Sequence, residues 1–368
     1  MKKGYYVYVE NCGSSGVMKK IEMQLETFSK ELDIQAIKLE TVKRTLLQRI
    51  WALLPWNSFQ REYDKAISQL NDPDFVYIRR IYVDHEYVSF LKKIKSRYPK
   101  CKIVIELPVY PYKKEMLSTF YTCIAYCKEI FYRREYSKYI DRFVTYSYDD
   151  VIMGIPTIQT MNGINVAEII PIEVENRYDR DNIHLLAVAL FARHHGYERM
   201  IKGLKDYYEK KPSRKVYFHL VGNGSEEHLY KKLVNKYRLE EYVKFHGPLY
   251  EDKLNSIYNR MDAGVAALGV YKDGLAKLST IKAREYLAKG LPVILGAEDN
   301  LFNGKGADYG ILFPNDSSNI DIHRIIAYLD DLYRNCNRSE VVDDIRKFAI
   351  ENVDNSITLH PIVQYIEG

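Results

Sequence analysis

The sequence predicts an α/β protein of two Rossmann-like, doubly wound domains. Short β-rich apolar runs alternate with amphipathic helical stretches from one end to the other, and the series runs twice, with a polar break between the two halves. Alternation of this kind builds parallel sheets with crossover helices on both faces. With 368 residues, 46% of them hydrophobic, the chain is long enough for two cores.

In the first half the strand candidates are 5–9, 34–38, 75–78, 102–107, 143–147 and 155–159, with helical patterns at 17–30, 87–97 and 114–134 between them. In the second half the strands read 183–190, 216–222, 243–247, 264–268, 292–296 and 310–313. Helices there fall at 198–210, 226–236, 253–259, 280–289 and 320–333. The stretch VAEIIPIEVENRYDRDN passes from apolar to polar without a clear period, which sets the boundary. The expected division is 1–170 for a first domain, 171–345 for a second, and 346–368 for a segment packing back on the first. Binding sites in doubly wound sheets form at the carboxyl ends of strands, near topological switch points.

Charge is distributed unevenly. Residues 1–170 carry 26 Lys and Arg against 20 Asp and Glu, and the remainder carries 28 against 29. The basic excess of the first half fits an anionic partner. It is too modest, and stacking motifs too few, for a nucleic-acid binder. The start, MKKGYYVYVENCGSSG, holds a lysine pair but no apolar run of signal-peptide length, and no segment reaches the roughly 18 apolar residues of a spanning helix. Five scattered cysteines fit reduced thiols in a cytoplasm. Cys123 and Cys127, one helical turn apart without a second pair, read as core-facing thiols rather than a zinc site, and no metal is expected.

Four constellations could carry chemistry. The Gly/Ser loop Asn11 to Gly16 runs into a helix start with Lys19 and Lys20 behind it. Its Gly13 and Gly16 suit a phosphate or a sugar, or only a tight turn. Gly222, Asn223 and Gly224 close a strand and permit close approach of backbone to ligand, or again a turn. In the run STIKAREYLAKGLPVI, Ser279 is the expected helix N-cap and Gly290 the residue that ends the helix. Lys282 then opposes the helix dipole in the first turn, which makes sense if an anion docks there; Glu285, one turn later, can accept from a ligand's hydroxyl pair. A solvated Lys/Glu pair is the alternative. Finally, Arg193, His194, His195 and Arg199 read as an anion-binding cluster at a strand end.

In this order and spacing the motifs LLAVALFARHHGYERMIKGL, HLVGNGSE, VKFHGPL, IYNRMDAGVAAL and IKAREYLAKGLPVIL resemble the group 1 glycosyltransferases of the GT4 type, whose GT-B fold has two Rossmann-like domains facing each other across a cleft. HGYERMIKGL and KAREYLAKGLPV look like the branch found in bacterial capsular and extracellular polysaccharide clusters. In the first half NCGSSGVMKKIEMQ, KIVIELPVYPYKKE and FVTYS leading to MNGINV are similar to the same branch. The resemblance implies a nucleotide-diphosphate sugar as co-substrate, a saccharide acceptor, retention at the anomeric carbon, and no cofactor or metal. It makes Glu285 the second glutamate of the EX7E motif, which holds the nucleotide ribose, and Gly222 and Gly224 the glycine pair near the nucleotide. It puts His195 in the place of a lysine that touches the diphosphate.

The departures from that pattern shape the expected site. Lys277 stands where the first glutamate of EX7E would fall, with Asp273 the nearest spare carboxylate. Leu190 replaces an arginine, leaving Arg193, Arg199 and Lys282 to neutralise the diphosphate. Glu106 is the candidate polar group near the reacting centre. In the segment 43–59, Lys43, Arg44 and Arg49 lie beside Trp51, Trp56 and further apolar residues. It has the makeup of an interfacial helix on an anionic membrane, or of a helix packed on the sheet. A second basic stretch, 128–142, carries interleaved tyrosines. Together these predict a cytoplasmic enzyme peripheral to the inner membrane face. It would act on a lipid-linked acceptor in surface polysaccharide assembly, in association with other assembly enzymes. The alternatives are a catalytically silent scaffold subunit, motivated by Lys277, and a nucleotide-sugar 2-epimerase.

Overall fold

A computed structural model describes residues 1–9, 15–40, 45, 47, 52, 54, 57–58, 62–174, 178–334 and 336–368. They form two compact units, one of residues 1–161 and 355–368, the other of residues 162–354.

The first unit is built on a sheet in the order β2-β1-β3-β4-β5-β7-β6. Its strands are β1 (Lys3–Val9), β2 (Asp33–Leu39), β3 (Phe75–Arg79), β4 (Lys102–Leu107), β5 (Arg142–Thr145), β6 (Val151–Ile152) and β7 (Ile155–Gln159). All neighbours pair in parallel except β6 with β7. Strands so apolar, as in IVIEL or FVYI, suit a sheet covered on both faces. One face packs against helices His85–Arg97 and Phe120–Tyr136 through residues such as Val76, Ile78, Ile103, Leu91 and Ala125. The other packs Tyr6, Tyr77 and Val104 against Ile21 and Phe28 of helix Ser15–Ser29 and against Leu359, Ile362, Val363 and Ile366. These last lie at the start of helix His360–Glu367 or within it. The chain order reverses between β1 and β3, which is the switch point of this sheet.

The second unit has a six-stranded parallel sheet in the order β10-β9-β8-β11-β12-β13. The strands are β8 (Asn182–Leu190), β9 (Lys215–Asn223), β10 (Val243–Gly247), β11 (Ala263–Val265), β12 (Val293–Leu295) and β13 (Gly310–Leu312). Counted within the unit this is the order 3-2-1-4-5-6, with the switch point between β8 and β11. Both sheets agree with the predicted alternation, strand for strand, apart from the two-residue β6.

Several helices differ from expectation. The pattern over 114–134 is two helices, Lys113–Met116 and Phe120–Tyr136, because Thr119 caps a new start by accepting from the Thr122 amide at 3.2 Å. Helices Tyr63–Gln69, Arg338–Val353 and His360–Glu367 have no counterpart in the expected set. Cys127 is exposed and Cys123 half-buried, so they are not the core-facing pair expected. The crossing between units lies at 161–162 rather than 170–171 because Ile164 donates its amide to the Val353 carbonyl. Arg346, in turn, holds the carbonyls of Val166, Ile169 and Ala288 within the second unit. The return lies at 354–355, after the whole of Arg338–Val353. No described helix is long and apolar enough to cross a membrane.

Candidate functional site

The carboxyl ends of β8 and β11 diverge at the switch point of the second unit, and the loop leaving β8 fills the opening. This loop is the short 3₁₀ turn Arg193–His195 followed by Gly196 at φ +61°. Leu268 donates its amide to the His195 carbonyl at 2.8 Å, and Gly269 donates to that of His194 at 3.0 Å. A Cβ on Gly196 would lie 2.4 Å from the Gly269 nitrogen, so the backbones meet only because both residues are glycine.

This packing buries the His195 ring, which lies parallel to Tyr197. The Ala192 amide donates to its Nδ1 at 3.0 Å, which assigns the proton of the neutral ring to Nε2. Nε2 in turn contacts Nζ of Lys282. Burial, Lys282 and His194 together push the imidazole pKa down to about 2, opposed by the Leu190 carbonyl. Burial also lowers the Lys282 ammonium to about 7, with Glu285 working the other way. Two hydrogen-bond donors therefore face one another, and neither can satisfy the other while the lysine is charged.

Lys282 reaches this position from the second residue of helix Ile281–Lys289. The helix starts one residue later than expected. Thr280, not Ser279, is its N-cap, accepting from the Ala283 amide at 3.2 Å. Ser279 instead accepts from the Asn162 amide at 3.0 Å. The C-terminal end is as expected, with Gly290 at φ +85°. Arg284, which no motif singles out, anchors the helix. Fully buried, it forms a forked pair with Asp299 and donates to the Asn162 carbonyl at 3.2 Å. Tyr286 locks the helix to the sheet by accepting from the Val188 amide at 3.0 Å. Packing decides both roles, and the only signal in the sequence is the bulk of two residues between apolar helix positions.

The remaining expected residues divide. Arg193 is exposed on the loop, and His194 Nδ1 is 3.7 Å from Asp273, which sits on the turn Val270–Asp273. Lys272 on that turn donates to the Arg193 carbonyl at 3.0 Å and pairs with Glu198. The structure thus gathers Arg193, His194, His195, Asp273, Lys282 and Glu285 near one strand end. Asn223, with Gly222 and Gly224, closes β9 beside them. These glycines are required by the protein itself, since a Cβ would lie 1.9 Å from the Ala189 oxygen at Gly222 and 2.4 Å from that of Phe191 at Gly224.

Two expectations, those for Arg199 and Glu106, are corrected. Arg199 is not a diphosphate contact: it is 1% exposed, and its guanidinium is spent on the carbonyls of Leu268, Pro314 and Ser318. Lys277 bridges to Glu298, with Nζ 3.4 Å from its carboxylate. Glu106 lies in the first unit, wholly buried, paired with Arg79 at 3.1 Å and Lys20 at 3.5 Å and bonded by Tyr146, Tyr6 and Gln24. Burial would raise its pKa, but Arg79 and Lys20 hold it at about 2, and no lone pair faces outward for chemistry. Gly13, Lys43, Arg44, Arg49, Trp51 and Trp56 lie outside the described residues, and Gly16 lies in the first turn of helix Ser15–Ser29.

Residues 182–331 match the family model described as glycosyl transferases group 1. No curated protein matches the chain. Among solved structures the chain is similar to a glycosyltransferase from Rickettsia africae at 13% identity, TM-score 0.62, covering 100% of this chain and 98% of that one. It is similar to sucrose-phosphate synthase from Thermosynechococcus elongatus at 15% identity and TM-score 0.63, covering 100% and 99%. It is also similar to the Anabaena protein HepE in complex with UDP, at 13% identity and TM-score 0.62, covering 99% of each. Likeness at this identity shows the fold, which is GT-B.

Proposed function

We propose that this chain is a glycosyltransferase that takes a sugar from a nucleotide-diphosphate donor bound at the carboxyl edge of the second unit's sheet. The observation that carries the reading is the opposed donor pair of His195 and Lys282 at a helix start, which one oxyanion would satisfy on both sides. The group 1 match spans this same region, and the Anabaena protein is described with UDP-glucose and with UDP and glucose.

In the proposed reaction the bond from the anomeric carbon to the diphosphate oxygen breaks, and a bond to an acceptor hydroxyl forms on the same face. The hydroxyl proton passes to the departing diphosphate. Lys282, the His195 Nε2–H and the helix start stabilise the charge that collects there, while Glu285 accepts from the ribose hydroxyls. The chemistry asks the residues to position and to neutralise, and neither a metal nor a dedicated base enters it.

The finer reading is a lipid-linked acceptor at the cytoplasmic membrane face, in surface polysaccharide assembly. The basic excess of residues 1–170 supports it. So do the exposed Phe120, Tyr121, Ile130 and Phe131 on the helix that also carries Arg133 and Arg134.

Thermal-shift titration with UDP, GDP and their sugars tests the donor site, since a ligand of the folded state raises apparent stability. One nucleotide should stabilise the wild type, and Lys282→Ala and Glu285→Ala should each abolish that shift and the sugar transfer measured with it. Unchanged shifts in both variants would remove the assignment.

A further inference from the structure

At the switch point of the first sheet, a cavity of about 240 Å³ opens among Val9, Val17, Arg79, Arg80, Pro108 and Glu115. Neighbouring residues on a strand point to opposite faces, yet Arg79 and Arg80 both line this space because β3 ends at Arg79.

Each arginine is braced from behind by one carboxylate. Arg79 Nη1 holds Glu106, its register partner on β4, at 3.1 and 3.2 Å. Arg80 Nη2 holds Glu129 at 3.2 Å, with its guanidinium 3.6 Å from the centroid of the Tyr112 ring. The bracing carboxylates are saturated. Glu106 has the partners already given, and Glu129 also takes a bond from Tyr112 and lies 3.5 Å from Arg133. Lys20 and Arg79 thus flank Glu106, and Arg80 and Arg133 flank Glu129, so each carboxylate is matched by two cations. Among the described residues, the other nitrogens of Arg80 take no carboxylate, and Glu115 is the only acid on the cavity wall.

We infer that this cavity is an oxyanion site, built to take a phosphate or carboxylate group between Arg79 and Arg80, and that the sugar acceptor is therefore itself anionic. Two guanidinium forks fixed by buried acids and opening into one space are pre-ordered for such a group, so little side-chain entropy is lost when it binds. Glu115 on the wall would accept from hydroxyls of the same molecule. The inference rests on the glycosyl-transfer reading only for naming the ligand an acceptor; the oxyanion site stands on its own geometry.

The test uses the full chain with ¹⁵N-labelled arginine, following the Nε–Hε signals of Arg79 and Arg80 during titration with inorganic pyrophosphate and, separately, with D-glucuronate. Arg80→Gln assigns its own signal and should weaken binding read at Arg79 by about tenfold, the scale of one charge-assisted hydrogen bond. Arg80→Lys, which keeps the charge and loses the fork, should fall between. Movement with pyrophosphate identifies a phosphate, and movement with glucuronate a carboxylate; either supports the site. Sedimentation with phosphatidylcholine vesicles containing polyprenyl phosphate distinguishes a lipid-borne phosphate, whose binding Arg80→Gln would reduce, from a soluble one, which leaves sedimentation unchanged. If both arginine signals stay still at millimolar ligand while the Arg80→Gln chain melts as the wild type does, the inference is wrong. A failure of donor binding would overturn the transferase reading and leave this result untouched.

Discussion

Lys282 and His195 carry protons whose positions depend on what sits between them. A lysine held at about 7 in the folded chain, against 10.5 when free, refuses a proton that the unfolded chain accepts. Its contribution to stability is thus full above pH 10.5 and is lost as the pH falls to 7. His195, lowered from 6.5 to about 2, extends the loss through the acid range between those values. An oxyanion reverses the preference of Lys282, so its binding above neutrality takes up a proton. Calorimetric affinity for the stabilising nucleoside diphosphate should fall about tenfold for each unit of pH above roughly 8, and Lys282→Arg should flatten that slope. Arg199 behaves otherwise. Arg199→Met strands three buried carbonyls and should cost about 3 kcal/mol in urea unfolding, while the folded variant keeps its nucleotide affinity. A sequence displays both as basic residues near a strand end. Whether a guanidinium points at a ligand or at its own backbone is settled by loops such as 314–318, distant in the chain and without pattern of their own.

The element that the sequence describes best is helix Ile281–Lys289. Its apolar spacing, an oxygen-bearing cap and Gly290 are all local signals, and the one error, Ser279 for Thr280, separates two adjacent hydroxyl residues that can both cap, serine somewhat the better. Ser279 loses the role because Asn162, far along the chain, claims its hydroxyl. Thr280→Ala should therefore cost about 1 kcal/mol and Ser279→Ala less, as read by thermal unfolding. Strand ends were legible as glycines, not as causes. Gly222→Ala should destabilise by more than the ordinary helix or strand penalty of about 1 kcal/mol, since its methyl group would collide with the Ala189 oxygen on β8. A melting temperature near wild type for that variant would refute the close approach. The helix break at 117–119 and the start of helix Arg338–Val353 leave little trace in the sequence because both rest on side-chain caps, at Thr119 and Asn337.

For the molecule as a whole, alternation along the chain revealed two doubly wound sheets, because each strand–helix pair is a local unit. The arginine pocket of the first sheet was invisible, since its members come from positions 9 to 115 and acquire meaning only where strand ends meet. The extent of each unit was also only partly legible, being a matter of contacts across the chain. Ile362, completely buried against the first sheet, shows this most directly. Ile362→Ala should lower the stability of the first unit by about 2–5 kcal/mol, the range for a cavity left by a lost aliphatic side chain, while hydrogen exchange in residues 182–331 stays as in the wild type. Equal loss of protection in both units would show that they unfold together.

That return of residues 355–368 to the first sheet has a consequence in time. A ribosome finishes the seven strands of the first unit long before it makes the helix that completes the cover of one of their faces, and the whole of residues 162–354 must be synthesised in between. Throughout that interval Tyr6, Tyr77 and Val104 have Ile21 and Phe28 beside them but lack Leu359, Ile362, Val363 and Ile366, and an apolar sheet face waits partly covered. The first unit is begun first and completed last, and during its synthesis it should be a client for chaperones that hold exposed strands.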